Sequence, residues 1–204
     1  MDEDHVNGVE ELLSQEYGGI KIRHLVLPDL KVPDERFRKI EGLARTRGIP
    51  ILYLRRGMAL QAGDLTIRCL YPQKENAGEE KNESSMVLKL EYQSFSVLLT
   101  GDLEGRGEEW VAKAGEDPVI LLKVAHHGSR NSSGETFLKK FHPDISVISC
   151  GRGNRYGHPH SEVIERLTME ECVVLRTDLE GAITVSTDGI GYSVEKFEKN
   201  KGRI

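Results

Sequence analysis

Two apolar runs that stop abruptly at ligand-type side chains frame this chain. Leu98-Leu99-Thr100-Gly101-Asp102 ends in a carboxylate, and Lys123-Val124-Ala125-His126-His127-Gly128-Ser129 ends in paired imidazoles. Each run reads as a buried strand, and neighbouring strands deliver the residues that follow them to one sheet edge. An aspartate and two histidines brought together in that way are half of a metal centre. The opening Met1-Asp2-Glu3-Asp4-His5 offers carboxylate and imidazole donors for the other half. The combination points to metal-assisted hydrolysis.

The rest of the pattern is an alternation of strands and helices. Val6, Val9, Leu12 and Leu13 recur at helical spacing, and a strand is expected at 22–27, closed by Pro28. A second amphipathic helix carries Phe37, Ile40, Leu43 and Ala44, started by Pro33 and stopped by Gly48. Strands follow at 51–54 and 65–70, then a polar loop over 73–85. Residues 87–92 and 95–99 form a hairpin turning at Gln93-Ser94. Helices are expected over 104–113, 135–141 and 161–168, with strands at 119–124, 145–150 and 173–176 between and after them. A closing pair spans 182–186 and 190–195. This is an α/β pattern, a mixed sheet covered by helices with hairpins at both ends.

At 204 residues the chain suits one domain with a sizeable core. No apolar run approaches the roughly 20 residues that cross a bilayer, and no signal-peptide pattern opens the sequence. The net charge of −5 argues against a general nucleic-acid coating protein but not against a nuclease, whose bound cations would invert the local field. Cys69, Cys150 and Cys172 form no C-x-x-C pair and read as buried free thiols.

Several positions carry two readings. Gly101 lets the chain turn so that Asp102 points off the sheet edge, although a Gly-Asp alone is an ordinary turn. His126 and His127 on an extended backbone point to opposite sides, one towards a metal and one into packing or proton transfer. Gly128 and Ser129 can present N–H groups and a hydroxyl to an anion. In Gly157-His158-Pro159-His160 the proline can hold both imidazoles on one side of the loop, or the segment merely caps a helix. Arg152 and Arg155 suit a phosphate or plain solvent. Asp2, Asp4 and His5 are a chelating cluster or a charged, frayed terminus. Asp178 is a further edge candidate or a turn residue. His24 and His142 read as structural, and the absence of G-x-S-x-G disfavours a serine hydrolase.

Taken together, Leu98 to Asp102, Lys123 to Ser129 and Asn154-Arg155-Tyr156-Gly157-His158-Pro159-His160 resemble the metallo-β-lactamase superfamily, most closely the soluble domain of the ComEC competence family. Asn82 to Leu88 and Arg176-Thr177-Asp178 also resemble that family's segments. The family's first motif, His-x-Asp-x-Asp-His, is matched by Asp2, Asp4 and His5 from its second position onward. The resemblance therefore implies a metallo-β-lactamase-like αββα sandwich over 1–204 whose first sheet is incomplete, lacking the family's N-terminal strands. A sandwich with one exposed sheet would tend to self-associate. The resemblance further implies two divalent ions, Zn or Mn, held by Asp2, Asp4, His5, Asp102 and His126. Asp4, His127, His158 and His160 would be the catalytic side chains, with Ser129, Arg155 and Asp178 binding substrate. The implied substrate is single-stranded DNA or a small phosphoester, and the implied partner is a polytopic membrane channel domain. By analogy the site faces the extracytoplasmic side of a bacterial membrane, and a stand-alone relative would be cytoplasmic. The contrasting expectation is a non-catalytic remnant that binds DNA.

Overall fold

A computed structural model describes residues 3–14, 21–31, 33–73, 85–113 and 118–197, with the side chains of residues 3–5 and 7 outside that description. The first helix, α1, spans Glu3–Ser14, and β1 follows at Leu25–Pro28. Helix α2 (Glu35–Thr46) begins two residues after Pro33. Its cap is Asp34, whose carboxylate accepts a hydrogen bond from Phe37 N at 2.8 Å. Strand β2 (Ile51–Leu54) pairs in parallel with β1. Val6, Leu13, Leu27, Phe37, Ile40 and Ala44 form a small core between these four elements.

Next come β3 (Ala59–Ala62), β4 (Leu65–Tyr71), β5 (Val87–Tyr92) and β6 (Phe95–Leu99), an antiparallel meander. The chain then alternates: α3 (Arg106–Ala112), β7 (Leu121–Lys123), α4 (Glu135–Phe141), β8 (Ile145–Ile148), α5 (Ser161–Met169) and β9 (Val173–Arg176). Strands β3 to β9 make one seven-stranded sheet in sequence order, antiparallel to β6 and parallel from β6 to β9. Its core joins Leu98 and Leu122 to Val111, Phe137, Phe141, Val163 and Leu167 of α3, α4 and α5. A one-turn helix, α6 (Thr177–Glu180), precedes the separate hairpin β10 (Ala182–Thr187) and β11 (Tyr192–Phe197).

The expected α/β layering is present, and among the described residues β1 and β2 form a two-stranded sheet apart from the large one. Helix α6 was not expected, β1 starts later than expected and includes Pro28, and two further features differ. Strand β3 carries no clean apolar alternation, because it is an edge strand with three of its four residues exposed. The His126–His127 step is not extended. Both residues lie in the left-handed region, φ 46° and 54°, within a 3-10 turn over Ala125–Gly128. Most of the 73–85 loop, residues 74–84, lies outside the described residues.

Candidate metal centre

The parallel strands β6 to β9 all point their carboxyl ends to one edge, where open α/β sheets bind ligands. Asp102 follows β6, the two adjacent histidines follow β7, His158 and His160 follow β8, and Asp178 follows β9. Gly101 adopts φ +54°, as a sharp turn off β6 requires. Its carbonyl accepts from His126 N at 3.0 Å, which fastens the histidine turn to the aspartate turn. Asp102 is only 6% exposed, and its N–H donates to Ser85 Oγ at 3.0 Å.

The left-handed turn brings both adjacent imidazoles to the same cluster rather than to opposite sides. The ring centroids of His126 and His127 lie 6.3 Å apart, and each is near His158, at 5.6 and 6.4 Å. His160 lies 5.0 Å beyond His158. Gly128 makes this possible. Its φ is +84°, and a Cβ there would stand 2.6 Å from Pro159 Cβ, so only glycine lets the histidine turn meet the His158–His160 loop. His160 N donates to Gly128 O at 2.9 Å and closes that junction.

Hydrogen bonds to Nδ1 sort the imidazoles into two kinds. His127 Nδ1 lies 2.7 Å from Ser149 O, a carbonyl that only accepts, so Nδ1 carries the proton and the neutral ring presents its Nε2 lone pair. His126 Nδ1 lies 2.8 Å from Glu104 Oε1, the carboxylate–histidine arrangement that orients metal-binding imidazoles. His160 is the reverse case. Its Nδ1 accepts from Arg130 N at 3.2 Å, so the neutral ring offers Nε2–H as a donor. His158 sits among the other three, and burial followed by its histidine neighbours holds it below the ordinary imidazole range against the opposing pull of Glu104.

The loop after the histidines is clamped from outside the site. Both oxygens of Glu108, on α3, accept backbone N–H groups from Ser133 and Gly134, the latter at 2.9 Å. Arg166, on α5, donates to the carbonyls of Ser133, Arg130 and Ser132 at 3.0, 3.0 and 2.8 Å. Desolvation pushes the Glu108 carboxyl up to about 7. The neighbouring loop is ordered by Asn154, whose Oδ1 accepts from His158 N and whose Nδ2 donates to His158 O.

The remaining sequence candidates fall outside the imidazole cluster or outside the described residues. Ser129 is buried, and its Oγ accepts from Asn131 N within the turn. Asp178 accepts from Arg176 at 3.1 and 2.7 Å and from Cys150 Sγ at 3.2 Å, and the arginine holds its carboxyl below the usual carboxylate range. Arg155 is exposed, with its guanidinium over the Tyr156 ring. Asp2 lies outside the described residues, as do the side chains of Asp4 and His5. Glu104, Glu108 and Arg166 escaped sequence reading because a carboxylate or guanidinium on or beside a helix looks like a solvated charge until its partners are seen.

By residue type the imidazoles oriented through Nδ1 and the carboxylates at this edge are donors of the kind that zinc, manganese or iron take. Among the described residues no three His, Cys, Asp or Glu side chains form a set that could hold a metal on their own.

The chain matches the description "Metallo-beta-lactamase superfamily" over residues 2–152. It is 39% identical to ComE operon protein 3 of Bacillus subtilis over 89% of the chain and 23% of that protein. It is 37% identical to Recombination protein 2 of Haemophilus influenzae over 52% of the chain and 13% of that protein. Competence protein ComA of Neisseria gonorrhoeae is 38% identical over 62% of the chain and 19% of its own length. The chain thus spans less than a quarter of these relatives. Among solved structures, CmlA, a diiron beta-hydroxylase from Streptomyces venezuelae, shares the fold with TM-score 0.50 at 13% identity, over 85% of this chain and 40% of that one. The histidine turn, the aspartate turn and these matches agree: the chain belongs to the metallo-beta-lactamase superfamily, and these three curated relatives are competence proteins of the ComEC family.

Proposed function

We propose that this domain is a metal-dependent phosphodiesterase that cleaves DNA in the course of DNA uptake. The carrying observation is the division of labour among the imidazoles. His126 and His127 present Nε2 lone pairs, whereas His160 presents an Nε2–H. Ligands and a proton donor side by side are what hydrolysis of a phosphoester needs. Asp2, Asp4, His5, Asp102 and His126 would hold two divalent ions, zinc or manganese, with His127 as a further imidazole donor. When bound, such ions lower the pKa of water and neutralise charge on the phosphoryl oxygens.

The chain's own residues supply the rest. Glu104 and Ser149 accept from Nδ1 of His126 and His127, so the neutral form of each ring turns its Nε2 lone pair to the site. His160, with Arg130 N behind it, donates Nε2–H to a phosphate oxygen or to the leaving oxygen. His158, kept neutral among its neighbours, adds a hydrogen bond without crowding a further positive charge into the cluster. Arg130, Arg152 and Arg155 place cations on the loops around these rings, against an overall charge of −5. The relatives' names tie the domain to competence, which supports a membrane channel as partner and a site on the extracytoplasmic face.

The test is hydrolysis of a single-stranded oligonucleotide with manganese or zinc, with and without chelator. Chelator-sensitive cleavage that Asp102→Ala abolishes, with circular dichroism unchanged, is the expected result. Cleavage only of a small phosphodiester would redirect the reading to a small-molecule hydrolase. Unaltered turnover in Asp102→Ala would remove the site assignment.

A further inference from the structure

Beside the imidazoles stands an exposed aromatic residue that proton transfer and metal binding do not use. Tyr156 is 61% exposed, yet it is not loosely held. Asn154 pins its loop through Gly151 O, His158 O and His158 N. Its ring lies 5.8 Å from that of His158 with 25° between the planes, and His158 lies 6.4 Å from His127 with 17° between theirs. Three rings of similar tilt therefore run outward from the candidate metal ligands to solvent. The Arg155 guanidinium carbon sits 4.8 Å from the Tyr156 centroid, and its NH2 donates to the phenol oxygen at 2.6 Å. That contact steadies the ring and puts positive charge against it.

We propose that Tyr156, with Arg155 packed on it, is a stacking platform for a nucleobase of single-stranded nucleic acid whose adjacent phosphate lies at the imidazole cluster. The inference rests on the phosphodiesterase reading above and names its substrate class. Every base has a π-face, so an aromatic platform is tolerant of sequence. In a duplex those faces are already stacked, so the platform selects an unpaired strand. The guanidinium serves both parts of a nucleotide, because it stacks on bases and hydrogen-bonds phosphates. A small phosphoester without a ring gains nothing from either residue.

The test compares fluorescein-labelled oligothymidylate with an abasic strand of the same length, by anisotropy, on the wild-type chain, Tyr156→Ala and Tyr156→Phe. Cleavage kinetics of oligothymidylate with manganese accompany the binding. The wild type should prefer the base-bearing strand by about tenfold, the scale of one base–aromatic stack. Tyr156→Ala should lose that preference through the base-bearing strand alone and raise KM with kcat little changed, while Tyr156→Phe keeps it. Equal affinity of the wild type for both strands overturns the platform, as does a Tyr156→Ala loss of the same size on both. Those results leave cleavage, and with it the hydrolase reading, intact. Base-dependent binding through Tyr156 without any metal-dependent cleavage overturns the hydrolase reading instead and leaves the platform as a nucleic-acid-binding site.

Discussion

Glu104 stands two positions beyond Asp102 and meets His126 Nδ1 at 2.8 Å, so one turn off β6 supplies both a candidate ligand and the group that orients another. Removing such a carboxylate leaves the ligand in place but frees its ring to rotate and to change tautomer. Glu104→Ala should weaken metal affinity by about 10- to 100-fold while circular dichroism stays the same. Calorimetric titration with zinc or manganese reads this, and an unchanged affinity would show that His126 does not ligate. Gly128 is the residue on which the cluster's assembly turns. In Gly128→Ala the new methyl would meet Pro159 at 2.6 Å, at a φ of +84° that alanine resists. The His158–His160 loop would have to withdraw. A cost of about 1–3 kcal/mol in chemical denaturation is expected, the scale of a residue held in a disfavoured backbone region. It should come with loss of cleavage, because the donor and ligand histidines separate.

At the scale of elements, the segment 129–134 is held by side chains of two helices, α3 and α5. Glu108 of α3 and Arg166 of α5 grip its backbone from either side. Glu108→Gln replaces an oxygen that accepts a backbone N–H with an NH2 group that cannot, and should cost about 1–3 kcal/mol. The pH dependence has a definite sign. Burial raises the folded-state value from the ordinary 4.5 to about 7, so the native state binds this proton more tightly than the unfolded chain does. The stability this group contributes is complete below pH 4.5 and is lost as pH rises through 7. Urea midpoints across that window should fall with pH in the wild type and flatten in Glu108→Gln, and parallel profiles would refute the assignment. Most strands and helices were legible in the sequence because their apolar periods are set by burial, as in α4, α5 and the β5–β6 hairpin. Strand β3 was not, because an exposed edge leaves no alternation to read. The candidate ligand types at Asp102 and His126 were legible, whereas the left-handed turn that gathers His126 and His127 was not. The sequence offers Gly128 as part of an anion-presenting turn, and the structure adds that its missing Cβ lets two loops touch.

At the scale of the whole molecule, the described residues form two cores of unequal size. Leu27, Phe37 and their neighbours join α1, α2, β1 and β2, while the larger cluster spans the seven-stranded sheet and α3 to α5. Two four-residue strands and two helices bury far less than the large sheet, so the small core should open at lower free energy. Native-state hydrogen exchange should therefore find the amides of β1 and β2 less protected than those of β6, β7 and β8. Metal should change that ranking in a particular way. Asp4 and His5 lie in the first turn of α1, whereas Asp102 and His126 belong to the large sheet, so an ion held by both sets would join the two cores. An ion that binds only the joined state stabilises it by mass action. Zinc or manganese should then slow exchange most in α1, β1 and β2, and Asp102→Ala should cancel that protection without altering the metal-free pattern. Protection confined to 101–160, with α1 indifferent to metal, would mean that the opening acidic segment takes no part in the centre.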